Sequence, residues 1–338
     1  MPLMLSTMVI VITAVALLMA PAAEAEEQVN AVAKIRDESK KIDELLKSDL
    51  TRKFLKATIA LPSIEERTLY HTAERDRYYS EAEAEPLDPA ERSALGSLSV
   101  DENFYYNTKY GSPLAYARAL DLIAREGVKS LNGKKVLDFG YGTIGHLKLM
   151  SANGASVVGV DVDPILRALY AYPGDQGEFK GGSVTLVHGH FPAEEEVKKA
   201  IGDGYDLILS KNVLKNGYIH PAEPVDEKRM VKLGVEDEVF VRTLFEILKP
   251  GGHVIVYNLH PAQNPPDKAY IPWADGRSPF TKEEWEGAGF EVIAFDQDDS
   301  RVARALGRAL GWDQGSSGMD LEKDLFGTYT LVRKPASP

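Results

Sequence analysis

A chain of 338 residues with 44% hydrophobic and 27% charged residues is long enough to bury a substantial core and has an ordinary globular composition. Its net charge of -12 argues against a protein whose affinity comes from gripping a phosphate backbone. The absence of cysteine excludes disulfides, thiolate catalysis and cysteine-ligated zinc, and carries little information on redox compartment.

The first feature in chain order is the uncharged apolar run Met8 to Met19, too short to span a bilayer comfortably, followed by APAAEAEE. Ala23-Glu24-Ala25 has the small-x-small pattern of a cleavage site, so residues 1–25 are expected to be a signal peptide or an N-terminal membrane anchor. The protein would then be exported or membrane-anchored, with attachment through residues 8–19 and a cytoplasmic orientation still open. Residues 1–7 contain no Lys or Arg, and the competing reading is a plain apolar extension. Residues 26 to about 49 are charged and helical in character, with Val29, Ala33, Ile42, Leu45 and Leu46 as a thin apolar stripe, followed by a more apolar run at 54–64 that Pro62 stops and then by a stretch rich in charge and turn residues. Residues 26–109 are expected to form a helical extension ahead of a domain at 110–334.

That domain opens with a helix capped by Ser112, with Pro113 at its first position and Gly127 at its end. From Lys134 strands and helices alternate. Strands are expected at 135–138, 156–160, 183–188, 205–210 and 253–257, with crossover helices between them, followed by strands at 290–295 and 328–333. Such alternation implies a parallel sheet covered on both faces, extended by the last two strands. No internal repeat is visible.

The chain is organised around KKVLDFGYGTIG, residues 134–145. Asp138 stands at the carboxyl edge of a strand, and Gly140, Gly142 and Gly145 follow in a tight turn before an apolar-periodic helix. Strand, turn and helix start place backbone N–H groups beside a crevice suited to a nucleotide-like ligand. In VVGVDVDP, Asp161 ends the next strand, where an acid can accept both hydroxyl hydrogen bonds of a ribose. Asp163 before Pro164 reads as the cap of the following helix.

These residues also carry a family likeness. KVLDFGYGTIG resembles motif I of the class I S-adenosylmethionine-dependent methyltransferases, with its acid–x–Gly–x–Gly as Asp138, Gly140 and Gly142. VVGVDVDP, YDLILSKNVL and LFEILKPGGHVIVYN resemble the family's second-, fourth- and fifth-strand segments, the KPGG turn being the most specific. The resemblance implies a Rossmann-like fold with a seven-stranded mixed sheet, helices on both faces, and S-adenosyl-L-methionine as cofactor. It implies that Asp138 faces the methionine amino group, that Gly140 and Gly142 allow close approach, and that Asp161 binds the ribose. Ser210 at the fourth strand's end joins the cofactor set. Where the family often has Gly-Asp after the third strand, this chain has Gly189-His190-Phe191, making His190 and Phe191 candidates for the adenine. Tyr110 is the first choice for a lid over the pocket.

Candidate catalytic groups sit after the fourth and fifth strands: Asn212 and His220, then Asn258 and His260. A histidine of near-neutral pKa can deprotonate a hydroxyl or phenol, and the competing reading for each is a structural loop histidine. His188, inside a strand, reads as buried structure. The seven histidines show no metal-ligand spacing, so no metal is expected. Segments 261–277 and 296–326 are the expected cover over an acceptor. The reading is a methyltransferase acting on a small molecule, not nucleic acid. Its rivals are a non-catalytic scaffold of the same fold, separable by absence of turnover, and an NAD-dependent oxidoreductase, disfavoured by Asp138 and the KPGG turn.

Overall fold

The computed structural model describes residues 30–315 and 318–336, so the apolar run at 8–19 and the expected cleavage site lie outside the described residues. No helix among the described residues is long and apolar enough to cross a membrane. Asn30 caps the first helix, Ala31–Asp43, by accepting the Ala33 N–H at 2.9 Å, and Val32, Ile35 and Ile42 are buried along one face. Ser48 caps a second helix, Asp49–Lys56, which buries Leu50, Phe54 and Leu55.

The extension at 26–109, expected to be helical, also holds a small sheet. Strand β1 (Arg67–His71) pairs antiparallel with β2 (Tyr78–Tyr79) and β3 (Gly96–Val100). Only Leu69 of β1 is buried, so the strands lack the apolar alternation by which a sheet is recognised in sequence.

The central sheet contains β4 (Lys135–Phe139), β5 (Ser156–Asp161), β6 (Gly177–Phe179), β7 (Gly182–His188), β8 (Tyr205–Lys211), β9 (Leu248–His260), β10 (Glu291–Asp298) and β11 (Phe326–Arg333). Their order is β10-β11-β9-β8-β4-β5-β7-β6. The run from β9 to β7 is parallel, while β6, β10 and β11 run antiparallel to their neighbours. All seven expected strands are present in a mixed Rossmann-like sheet, and the eighth, β6, is a three-residue edge strand. The KPGG segment is drawn into β9 because the Gly251 N–H donates to Lys334 O and the Lys334 N–H to Gly252 O, at 2.8 and 2.9 Å.

Both faces are covered, as a parallel sheet requires. On one lie the two N-terminal helices and helices Ala117–Arg125, Gly145–Ser151 and Ser300–Ala309, in a continuous apolar cluster running from Val32 to Leu331. On the other, helices Glu195–Ile201, Asp237–Ile247 and Lys282–Gly287 pack around Leu137, Ile208, Phe240 and Trp285. Ser112 accepts the Leu114 N–H at 3.3 Å, capping its helix as the sequence suggests. Further along, Arg118 is buried and bridges Asp121 and Asp299.

Candidate functional site

The parallel strands end together on one rim, and the cavity there holds about 910 Å³, large enough for a nucleoside and a second small molecule. Its floor is the turn after β4. Gly140 and Gly142 have φ of +75° and +57°, the left-handed region that disfavours any side chain. A Cβ at Gly140 would lie 2.4 Å from Val213 Cγ2, and one at Gly142 would lie 2.8 Å from the Tyr110 ring. Gly140→Ala should therefore cost at least ~1–2 kcal/mol from the backbone alone, more once the branched Val213 is displaced. Urea unfolding checks this, and an unchanged midpoint would contradict the close packing.

The turn does not present a row of free donors, contrary to expectation. Gly140 N–H donates to Val160 O at 2.8 Å, Gly142 N–H to Asp161 Oδ2 at 3.0 Å, and Ile144 N–H to the Tyr170 hydroxyl at 3.3 Å. Buried backbone must find partners, and here the protein supplies them.

Asp138 and Asp161 stand at the tips of adjacent strands β4 and β5, on the same rim. Asp161 lines the cavity. Its carboxylate accepts the Gly142 and Asp163 N–H groups at 3.0 and 2.9 Å. Burial pushes its pKa up to about 6 despite those bonds. Asp138 is not part of the cavity wall. It is fully buried below the floor, where the His146 Nε2–H donates to its Oδ2 at 2.5 Å, and its Oδ1 has no partner. His146 in turn stacks on Tyr116, ring centroids 3.5 Å apart. Burial, then the Asp138 charge, holds the Tyr116 hydroxyl well above the ordinary tyrosine range.

The other candidates divide. Tyr110 lies over Gly142 and donates to Asp163 Oδ2 at 2.8 Å, and the same oxygen meets Lys109 Nζ at 2.6 Å. Asp163 also caps its helix through the Ile165 N–H. Gly189, His190 and Phe191 also line the cavity, with Phe191 buried and His190 exposed. Ser210 is turned away, its hydroxyl donating to Phe139 O at 3.2 Å in a strand-to-strand brace. Asn212 lines the cavity but is braced against β9: its N–H donates to Asn258 Oδ1 and its Oδ1 accepts the Leu259 N–H.

Neither catalytic histidine candidate reaches the wall. His220 is exposed, with Nε2 2.6 Å from Asp237 Oδ2. His260 has both ring nitrogens engaged, Nδ1 at Pro261 O and Nε2 at the Thr328 hydroxyl, and it stacks on Phe326. Burial lowers its pKa. His188, expected to be buried, is exposed near the sheet edge formed by β7 and β6. The described residues of segment 296–326 contribute nothing to the wall, segment 261–277 contributes Trp273, and Glu227–Lys232 also line the cavity.

Two lysines were missed by the sequence reading. Lys211 ends β8 and Lys215 stands just before the next short helix, both buried and both lining the cavity. Burial pushes Lys211 down to about 8, against the pull of Asp138, and Lys215 down to about 7, helped by the Lys211 charge. Lysine is the residue type least expected inside, so SKNVLKNGY gives no warning of their burial. Among the described residues no cluster of three or more His, Cys, Asp or Glu is placed to hold a metal ion.

The methyltransferase-domain family matches residues 113–295, more than half of the chain. The tRNA U34 carboxymethyltransferase of Hydrogenovibrio crunogenus is 26% identical over 211 residues, 61% of this chain and 56% of that one. This chain thus spans little more than half the length of that relative. Among solved structures, the [4+2]-cyclase SpnF is 16% identical with a TM-score of 0.38, covering 65% of this chain and 81% of that one. An S-adenosylmethionine-dependent methyltransferase from Mesorhizobium loti is 17% identical with a TM-score of 0.35, covering 65% and 97%. With the motif I turn, the acid ending β5 and the order of the sheet, the family match leads to one conclusion: the chain belongs to the class I S-adenosylmethionine-dependent methyltransferases.

Proposed function

We propose that the protein transfers the methyl group of S-adenosylmethionine to a small-molecule acceptor. The observation that carries this is a single cavity lined by Asp161 and the Gly140–Gly142 turn together with Lys211, Tyr218 and Trp273. The residues fit the cofactor: a buried carboxylate oxygen of Asp138 is without a partner, and the glycine turn leaves space that any Cβ would fill. Asp161 would accept the ribose hydroxyls and Phe191 would border the adenine, while Asp138, enclosed below the floor, would act on the amino group through its charge without lining the cavity. Bound S-adenosylmethionine supplies an electrophilic methyl on a cationic sulfonium. The chain then has to orient the acceptor and exclude water, which can supply much of the acceleration. Tyr110, hooked to Asp163, closes the nucleoside end. Asn212 is a positioning residue, since its side-chain oxygen is already engaged.

An acceptor of low molecular weight is favoured over nucleic acid by the net charge of -12. We further infer that residues 8–19 attach the protein to a membrane or direct its export, on the apolar run and the Ala23-Glu24-Ala25 pattern alone. Attachment on the cytoplasmic side would keep it where S-adenosylmethionine is made. N-terminal sequencing of protein from fractionated cells decides between cleavage and anchorage.

Calorimetry with S-adenosylhomocysteine tests the cofactor reading. Binding is expected in the wild type, and Asp161→Ala should weaken it by ~1–3 kcal/mol through loss of a buried charged acceptor. Because a hydroxyl donates to the ionised carboxylate, wild-type affinity should fall as pH drops through about 6, and Asp161→Ala should remove that dependence. Binding of NADH in place of S-adenosylhomocysteine would overturn the assignment. Turnover of methyl-labelled donor with cell extract separates an enzyme from a scaffold.

A further inference from the structure

The cavity is basic although the protein is acidic. Against a net charge of -12, six lining side chains are basic and two are acidic. Most of these cations are already engaged or lie at the surface. Lys109 is held by Asp163 and Lys232 by Glu227. Lys215 donates to Leu259 O at 2.7 Å and to Trp273 O at 3.3 Å. Lys228 and Arg229 stand exposed on the short turn Glu227–Arg229.

Lys211 is the exception. It is 8% exposed, it lines the cavity, and among the described residues it donates no hydrogen bond. Its Nζ lies 5.6 Å from the centre of the Tyr116 ring, and Asp138 is the charge that acts on it. Tyr116 also lines the cavity, and its ring stacks on His146, which is bonded to Asp138 Oδ2. The other Asp138 oxygen, Oδ1, has no partner. Tyr116 thus adjoins a buried ammonium and a buried carboxylate, each with hydrogen-bonding capacity to spare. The two attract across the site without forming an ion pair. Burying either charge is unfavourable unless a group of opposite sign completes it. A ligand that serves both carries an ammonium and a carboxylate on one carbon, which is the head of an α-amino acid.

We propose that Lys211 Nζ holds the carboxylate of the cofactor's methionine portion while the Asp138 charge draws its ammonium. The pair would then select donors with an intact amino acid. This rests on S-adenosylmethionine being the cofactor and adds a cofactor-binding residue to that reading. Lysine is a compact point charge with three donors, suited to a single carboxylate. A charge-assisted hydrogen bond of this kind is about twice as strong as a neutral one.

The test is calorimetry of the full chain with S-adenosylhomocysteine and with its decarboxylated analogue, which keeps the nucleoside, the thioether and the ammonium. Wild type should bind S-adenosylhomocysteine at least about tenfold more tightly than the analogue, the ratio of one charge-assisted bond. Lys211→Met should weaken S-adenosylhomocysteine at least about tenfold and leave the analogue within about twofold of its wild-type affinity. Analogue binding by the variant also shows that its fold is intact. Equal binding of both ligands by wild type, or a preference that survives Lys211→Met, overturns the proposal. So does a loss shared equally by the two ligands, which would mark Lys211 as packing and not as a carboxylate partner. If neither ligand binds wild type, the cofactor reading itself fails and this assignment falls with it.

Discussion

Arg118→Met is expected to destabilise the protein by about 3–5 kcal/mol, the cost of stranding a buried charge by deleting its partner. The guanidinium donates to Asp299 through Nε and Nη2 at 2.8 and 2.6 Å and to Asp121 through Nη1 at 2.7 Å, with all three residues buried. Without it, Asp299 keeps only the Tyr257 hydroxyl at 3.0 Å and its own backbone surroundings. Asp121 fares better, because Arg125 and the Ser48 N–H also reach it. The decisive variant is therefore the double substitution Arg118→Met with Asp299→Asn, which removes both charges and should recover most of the loss. Urea unfolding of the two single variants and the double measures the coupling; strict additivity would show that the bridge contributes nothing of its own.

The second large effect has the opposite sign. Lys211→Met should stabilise the protein at pH 7 by roughly 3 kcal/mol, at 1.36 kcal/mol per pKa unit. Burial lowers this lysine to about 8 in the folded chain, below its value in the unfolded chain. At pH 7 the group is protonated in both states, so the whole cost of burying the ammonium is present. As pH rises above about 8 the folded state loses the proton first, and the cost fades toward the ordinary lysine range. The advantage of methionine should accordingly shrink to near zero above pH 10. Denaturant titrations at the two pH values check it, and a variant no more stable than wild type at pH 7 would refute the picture.

The elements that were legible in the sequence are those fixed by local chemistry. Ser112 and Asp163 cap helices through side chains that reach two residues ahead, and the seven longer strands follow from apolar runs bounded by turns. The missed strands are β6, too short to show a pattern, and β1–β3, where Leu69 is the single buried residue of β1. In the site, Asp161 was read at the rim and lies there. Asp138 occupies the matching strand tip, yet it points under the floor toward His146. A strand with both faces covered gives no sequence clue to which layer receives a given side chain. Lys211 and Lys215 were opaque for a related reason: their residue type predicts solvent, and only the tertiary fold encloses them. His260 is the last residue of β9 and His220 follows the short helix Asn216–Ile219, while Asp237 and Thr328, which their ring nitrogens meet, come from segments remote in sequence.

The apolar cluster that joins Val32, Ile35 and Phe54 to Leu147, Leu169 and Leu331 bears on how the polypeptide can be divided. Cutting between residues 109 and 110 would bare greasy surface on both fragments, at about 25 cal/mol for every Å² uncovered. Neither piece should stay in solution by itself, and a shortened catalytic half would be rescued only by adding the missing front portion back in trans.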